Sequence, residues 1–270
     1  MAALGALTVL PSGRLELIAL SGLPIVSPGD DLPGLIARAL DRNGVELLQH
    51  DVVVVTSKLV SRSEDRFVDL SRISPSPEGR AIARQVDKDP RLVTLVLRES
   101  TQISRKAKGV LIVRHRLGFV SANAGIDQSN SAPASADEDS GPWVLLLPEA
   151  PDASAARIRV GLAAATGVKP AVILSDSFGR PFREGTVGVA IGIAGLAAVN
   201  DQRGKLDLFG RTLEHTITAQ ADQIAAAADL VAGQAAESRP VVIVRGLELP
   251  IDEDAGARDL VRPADQDLYL

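Results

Sequence analysis

The run DVVVVTSK at residues 51–58 constrains the chain most. Four successive valines leave no polar face, and such a strand is stable only when both of its faces are buried. AVILSD (171–176) and VVIVR (241–245) predict further strands, as do VLIVR (110–114) and WVLLL (143–147). RLELIAL (14–20) alternates in the manner of a strand with one wetted face. Between these runs, LIARALDRNG reads as an amphipathic helix closed by Gly44, and residues 78–99 carry helical spacing interrupted at Pro90, which opens a second helix. DASAARIRVGLAAATG (152–167) predicts a helix capped by Asp152 or Ser154 and stopped by Gly167. TAQADQIAAAADLVAG (218–233) predicts another that ends at Gly233. Strands alternate with helices, but unevenly, and residues 177–217 show no strong period. The expected class is therefore α+β or mixed α/β rather than an evenly wound sheet.

The 270 residues are 46% hydrophobic and 23% charged, enough for a sizeable core in one large unit or two smaller ones. A net charge of −5, from 29 basic and 34 acidic residues with no long basic run, argues against nucleic acid or an anionic membrane surface as the main partner. Cysteine is absent, which excludes disulfides, thiolate metal sites and a Cys nucleophile. The start MAALGALTVLPSGRLEL holds no secretory hydrophobic region, and the most apolar window, GVAIGIAGLAAV (188–199), falls short of the ~20 residues that span a bilayer. A cytoplasmic protein without a membrane segment is expected.

Several apolar strands end in polar groups: Thr56, Ser57 and Lys58 after the first, Asp176 and Ser177 after the second, and Arg245 after the third. In α/β sheets ligands sit beyond the carboxyl ends of strands. Asp127 and Asp176 each follow an apolar strand, and two such carboxylates could converge on Mg²⁺ or Mn²⁺; each is equally well read as a turn former or helix cap. In GFVSANAGIDQSN (118–130) the small residues build no evident core. They would let backbone N–H groups approach a phosphate, or else form a tight packing corner. DSFGRPFREG (176–185) sets Arg180, Arg183 and Glu184 near Asp176, which suits phosphate or substrate handling as well as a solvated ion-paired loop. Neither standard nucleotide fingerprint is present. His115 and His215 show no triad spacing with any serine, and His50 is expected in a solvated position before a strand.

The motifs GFVSANAGIDQSN, LSDSFGRPFREGTVGVAIGIAGL and GDDL together resemble the coenzyme F420-0 gamma-glutamyl ligase family, over a span from SGLPIVSPGDDL (21–32) to VVIVRGLE (241–248). That resemblance implies a GTP-dependent ligase which adds L-glutamate to coenzyme F420-0 by way of an acyl phosphate, then adds further γ-linked glutamates. It implies the family's own α/β fold and an intertwined homodimer, and the apolar 188–199 segment, which a monomer would have to bury entirely, agrees with a dimer. It also implies two Mg²⁺ or Mn²⁺ sites, with potassium as a further cation: Asp127 and Asp176 on the first metal, Ser177 and Gln234 on the second. Ser21, Gly22, Leu23, Pro24, Ser57, Lys58, Arg62, Asn130, Gly233 and Gln234 would line the GTP. No fused nitroreductase-like domain is expected, because the chain ends soon after VRPADQDLYL, so the whole would act as one stand-alone ligase unit. Two rivals remain open on the residues alone: a metal-dependent phosphotransferase or hydrolase for another phosphorylated metabolite, and a non-catalytic nucleotide-binding protein.

Overall fold

The structure is a computed structural model that describes residues 13–136 and 140–267. The reading that the amino-terminal stretch lacks a secretory hydrophobic region falls mostly on residues outside these. In chain order the first elements are β1 (Glu16–Leu20), α1 (Leu32–Asn43), β2 (Val52–Thr56), α2 (Ser57–Ser63) and β3 (Phe67–Asp69). They are followed by α3 (Pro77–Val86), α4 (Pro90–Arg98), β4 (Ser100–Ala107), β5 (Val110–His115), β6 (Val120–Ala122) and β7 (Trp143–Leu145). The remainder comprises α5 (Pro151–Thr166), β8 (Ala171–Arg180), β9 (Arg183–Ala194), β10 (Asn200–Asp201), β11 (Ile217–Thr218), α6 (Gln220–Ala232) and β12 (Val241–Arg245). The mixed α/β class expected from the sequence is the one observed.

The valine run forms β2, the centre of a five-stranded sheet of order β1-β12-β2-β8-β9. Val53 and Val55 face a core with Ile36, Leu40, Ile158 and Leu162 of α1 and α5. Val52 and Val54 face the opposite core, with Ala221, Ile224, Ala225 and Ala228 of α6. Both faces of β2 are thus covered by helices, which is why it needs no polar side. β2 and β8 run parallel, with Thr56 opposite Ser175, while the other pairs in this sheet are antiparallel. A third core joins α3 and α4 to β5 and β7 through Val86, Val93, Val96, Val113 and Val144.

Three expectations fail, each for a physical reason. Residues 177–194, which lie in the stretch without a strong period, form a regular strand hairpin, because β8 runs on to Arg180 and turns into the long strand β9. Glycines hide that strand in the sequence but make it possible. A Cβ on Gly188 would lie 2.6 Å from Ala225 O of α6, and one on Gly192 would lie 2.6 Å from the Pro151 backbone of α5. Consequently GVAIGIAGLAAV is clamped between two helices of its own chain, with Ile191, Ile193 and Leu196 at most 3% exposed, and its apolarity gives no support to a dimer. Second, α5 starts at Pro151 behind Ala150 with no side-chain cap. Asp152 Oδ1 instead accepts the backbone N–H groups of Ile193 and Ala257 at 2.8 and 3.0 Å, and the Ser154 hydroxyl bonds to Glu64. Third, the small residues after β6 do build core. Ala124 and Ile126 are buried among the α3–α4 residues. Among the described residues no helix is long and apolar enough to cross a membrane.

Candidate functional site

The parallel pair β2 and β8 delivers its carboxyl ends side by side, and one cavity of about 820 Å³ opens there. After Thr56 the chain enters α2 directly, so Ser57 and Lys58 stand on the first helical turn above β2. Asp176 continues from Ser175 one residue above the paired register, with a hydrogen bond to the Ser57 side chain. Asp127 arrives from elsewhere: its backbone N–H and C=O bond to Leu145 O and N at 2.9 and 2.8 Å, which pins it beside β7. Asn123, Ala124 and Gly125 all have positive φ (52°, 55° and 66°) and form the left-handed turn that aims the chain there. Gly125 is needed for closeness rather than for phosphate approach. A Cβ would meet Leu147 Cδ1 at 2.7 Å and Asp176 Oδ2 at 3.5 Å.

The cavity brings together Leu23, Pro24, Ser57, Lys58, Arg62, Asp127, Asn130, Asp176, Ser177, Gly233 and Gln234. Four predicted residues lie outside its lining. Ser21 and Gly22 are tied to α1, through Ser21 Oγ to Asn43 Oδ1 (3.0 Å) and Arg42 Nη1 to Gly22 O (3.1 Å). Arg180 and Arg183 belong to the β8–β9 turn, where Arg180 Nη2 donates to Glu184 O at 2.9 Å and Arg183 is exposed. Arg245, a strand-end candidate, lies at the far end of the sheet because β12 is antiparallel to β2. It makes two bonds to Asp51, of 2.9 and 2.7 Å, at the start of the central strand. Among the histidines, His50 is exposed as expected, His215 is exposed, and His115 is buried with Nδ1 accepting the Leu117 N–H.

The electrostatics separate the two carboxylates. Burial pushes the Asp176 carboxyl up to about 7, the negative charge of Asp127 adds to the rise, and the Ser177 N–H and Ser57 hydroxyl oppose it. Burial also pushes Asp127 up, but hydrogen bonds from Lys58 and from the Ser129 backbone and hydroxyl outweigh it and leave the group below its usual value. Lys58 Nζ lies 2.6 Å from Asp127 Oδ2 and 3.0 Å from Ser129 O, while Asp127 Oδ1 accepts Ser129 N and Oγ at 2.7 and 2.8 Å. Arg62 is buried and already committed. Its Nε donates to Val26 O at 2.8 Å and its Nη1 to Asn130 O and Ala132 O at 3.2 and 3.3 Å, joining the two loops that wall the cavity.

Among the described residues no three His, Cys, Asp or Glu gather as a ready-made metal cage. Two carboxylates with the neutral oxygens of Ser177 and Gln234 suit a hard cation that keeps water and phosphate oxygens in its shell. The Lys58 ammonium is seated here among carboxylate, carbonyl and hydroxyl oxygens of Asp127 and Ser129. Ser177 Oγ donates to Gln234 Oε1 at 2.9 Å, so the two residues predicted to share a metal are adjacent. Ser129 and Asp229 escaped the sequence reading. Ser129 carried a signal, since an Asp two residues before a Ser commonly accepts its N–H, whereas Asp229 reaches the site only because α6 ends beside β8.

The chain matches the family described as F420-0:Gamma-glutamyl ligase over residues 22–246. It is 45% identical over 256 residues to the coenzyme F420:L-glutamate ligase of Methanothermobacter thermautotrophicus, covering 94% of this chain and 98% of that protein. The protein of the same name from Methanopyrus kandleri is 42% identical over 263 residues, covering 96% and 98%, and that of Halorubrum lacusprofundi 44% over 240 residues, covering 87% and 88%. With the match spanning every element that lines the cavity, the chain belongs to the F420-0:gamma-glutamyl ligase family.

Proposed function

We propose that this protein joins L-glutamate to coenzyme F420-0 by an amide bond at the expense of GTP, and extends the product with γ-linked glutamates. Membership of the family over residues 22–246 carries the reading. A carboxylate is a poor acyl donor. In the proposed sequence its oxygen takes the γ-phosphoryl group of GTP, leaving GDP and an acyl phosphate. The amine of glutamate then attacks the acyl carbon, the C–O bond to phosphate breaks, and the amine loses a proton as the amide forms. Mg²⁺ or Mn²⁺ held by Asp127, Asp176, Ser177 and Gln234 would supply neutralisation of the phosphoryl charge. Lys58 adds a positive charge beside it, and Arg62 keeps the two wall loops in place. The apolar wall of Leu23, Pro24, Leu145 and Leu147 limits water, which would otherwise hydrolyse the acyl phosphate. No side-chain nucleophile is required, in keeping with the absence of cysteine and of a histidine in the cavity.

The test is GTP turnover with glutamate and the deazaflavin acceptor supplied separately and together. Turnover that requires both supports ligation, whereas release of phosphate without glutamate would identify a hydrolase or phosphotransferase. A homodimer is part of the same proposal. Its support is the arm between β10 and β11, residues 202–216, which exposes Leu206, Leu208 and Phe209 at 66%, 99% and 91%. Light scattering that gives a monomer mass over a wide concentration range would remove it.

A further inference from the structure

Gln234 stands just beyond α6 on an exposed stretch, where its amide could turn either end toward the cavity. The ends are not equivalent. Only Oε1 has lone pairs for a hard cation, whereas Nε2 presents only N–H donors. Two partners hold the amide: Ser177 Oγ donates to Oε1 at 2.9 Å, and Nε2 donates to Asp229 Oδ1. A hydroxyl both donates and accepts, so Ser177 would satisfy either end. A carboxylate oxygen only accepts, so the end facing Asp229 must be the NH₂. We infer that Asp229, on the last turn of α6, is a positioning residue that sorts the Gln234 amide so that its carbonyl oxygen faces Ser177 in the cavity.

The inference rests on the metal-site reading proposed above and concerns how a neutral side chain becomes a dependable oxygen ligand there. Asp229 also faces the Gly188 backbone N–H of β9, so it could merely pin α6 to the sheet. The two roles part in a complementary exchange. Asp229→Asn offers both an acceptor and a donor, and the Gln234 amide loses its sorting. Combining Asp229→Asn with Gln234→Glu restores it, because the new amide donates to a carboxylate whose two oxygens are equivalent.

The experiment is a Mn²⁺ titration followed by electron paramagnetic resonance, without nucleotide or turnover, on the parent, Asp229→Asn, Gln234→Glu, the double variant and Asp127→Asn. Asp229→Asn is expected to weaken Mn²⁺ binding about tenfold in the parent, as loss of a residue that orients a ligand commonly does, and to change it little in the Gln234→Glu background, where both oxygens of residue 234 are equivalent. A single variant that titrates like the parent would overturn the inference, as would Asp229→Asn weakening Mn²⁺ binding by the same factor in the Gln234→Glu background as in the parent, which is the outcome of a mere α6–β9 pin. If Asp127→Asn binds Mn²⁺ as the parent does, the ion lies elsewhere and the metal-site reading falls with the inference. Loss of binding in Asp127→Asn beside an unchanged Asp229→Asn overturns the role of Asp229 alone.

Discussion

Replacing Asp176 by Asn should stabilise the fold while removing metal binding. The Asp176 carboxyl is raised from 3.8 to about 7. Its protonated form therefore favours the folded state: that contribution is whole below about pH 3.8 and is lost as the pH climbs to about 7. A rise of about three units corresponds to at most about 4 kcal/mol at ~1.4 kcal/mol per unit, and screening by solvent in the cavity that Asp176 lines reduces this to roughly 2 kcal/mol. Asn keeps the shape and an oxygen for the Ser177 N–H and Ser57 hydroxyl but never ionises. At pH 8 the variant should melt about 4–6 °C above the parent, taking ~2–3 °C per kcal/mol for a chain of this size. At pH 5 less than half of that gain should remain. Differential scanning fluorimetry at both pH values, with and without Mn²⁺, supplies the comparison. Mn²⁺ should raise the melting temperature of the parent at pH 8 and leave the variant unmoved. A gain equal at pH 5 and pH 8, or no gain at either, would refute the claim that a strained carboxylate is kept here for its ligand.

Lys58→Met removes the ammonium that competes for Asp127 Oδ2, so calorimetric titration should show Mn²⁺ alone binding about three- to tenfold tighter, on the scale of ~1 kcal/mol for a half-exposed pair, while nucleotide binds more weakly. Gly125→Ala should cost about 1–2 kcal/mol in urea unfolding and reduce ligation, because a Cβ there enters Leu147 at 2.7 Å from a left-handed backbone, in the turn that aims Asp127 into the cavity. Arg245→Leu leaves Asp51, 1% exposed, without its partner and should destabilise the protein by about 2–3 kcal/mol with kcat unchanged at 25 °C, since the pair lies at the end of the sheet away from the cavity.

The sheet was legible where side chains alone reported burial. The valines of β2 and the apolar runs of β8 and β12 have no other sensible environment. β9 was not legible, because its interior glycines serve the helices packed on it rather than the strand itself, and β4 was missed because its Ser, Thr, Arg and Lys side chains are largely exposed. In the site, Ser57, Lys58, Asp176 and Ser177 could be anticipated together, since they end two strands that prove to be parallel neighbours. Arg245 also ends a strand, but its direction depends on a pairing that one strand's residues do not encode. Asp127 could be suspected, yet its companionship with Lys58 depends on a left-handed turn at Asn123–Gly125 and a bridge to Leu145. Asp229 was invisible because only the packing of α6 brings it to Gln234.

The central claim is most directly tested by mass spectrometry of coenzyme F420-0 after incubation with the purified protein, GTP, Mn²⁺ and L-glutamate. The account predicts product that has gained one or more glutamyl residues, formed only when GTP and glutamate are both present and absent with Asp127→Asn. Recovery of the acceptor unchanged by a folded, Mn²⁺-binding protein would contradict it.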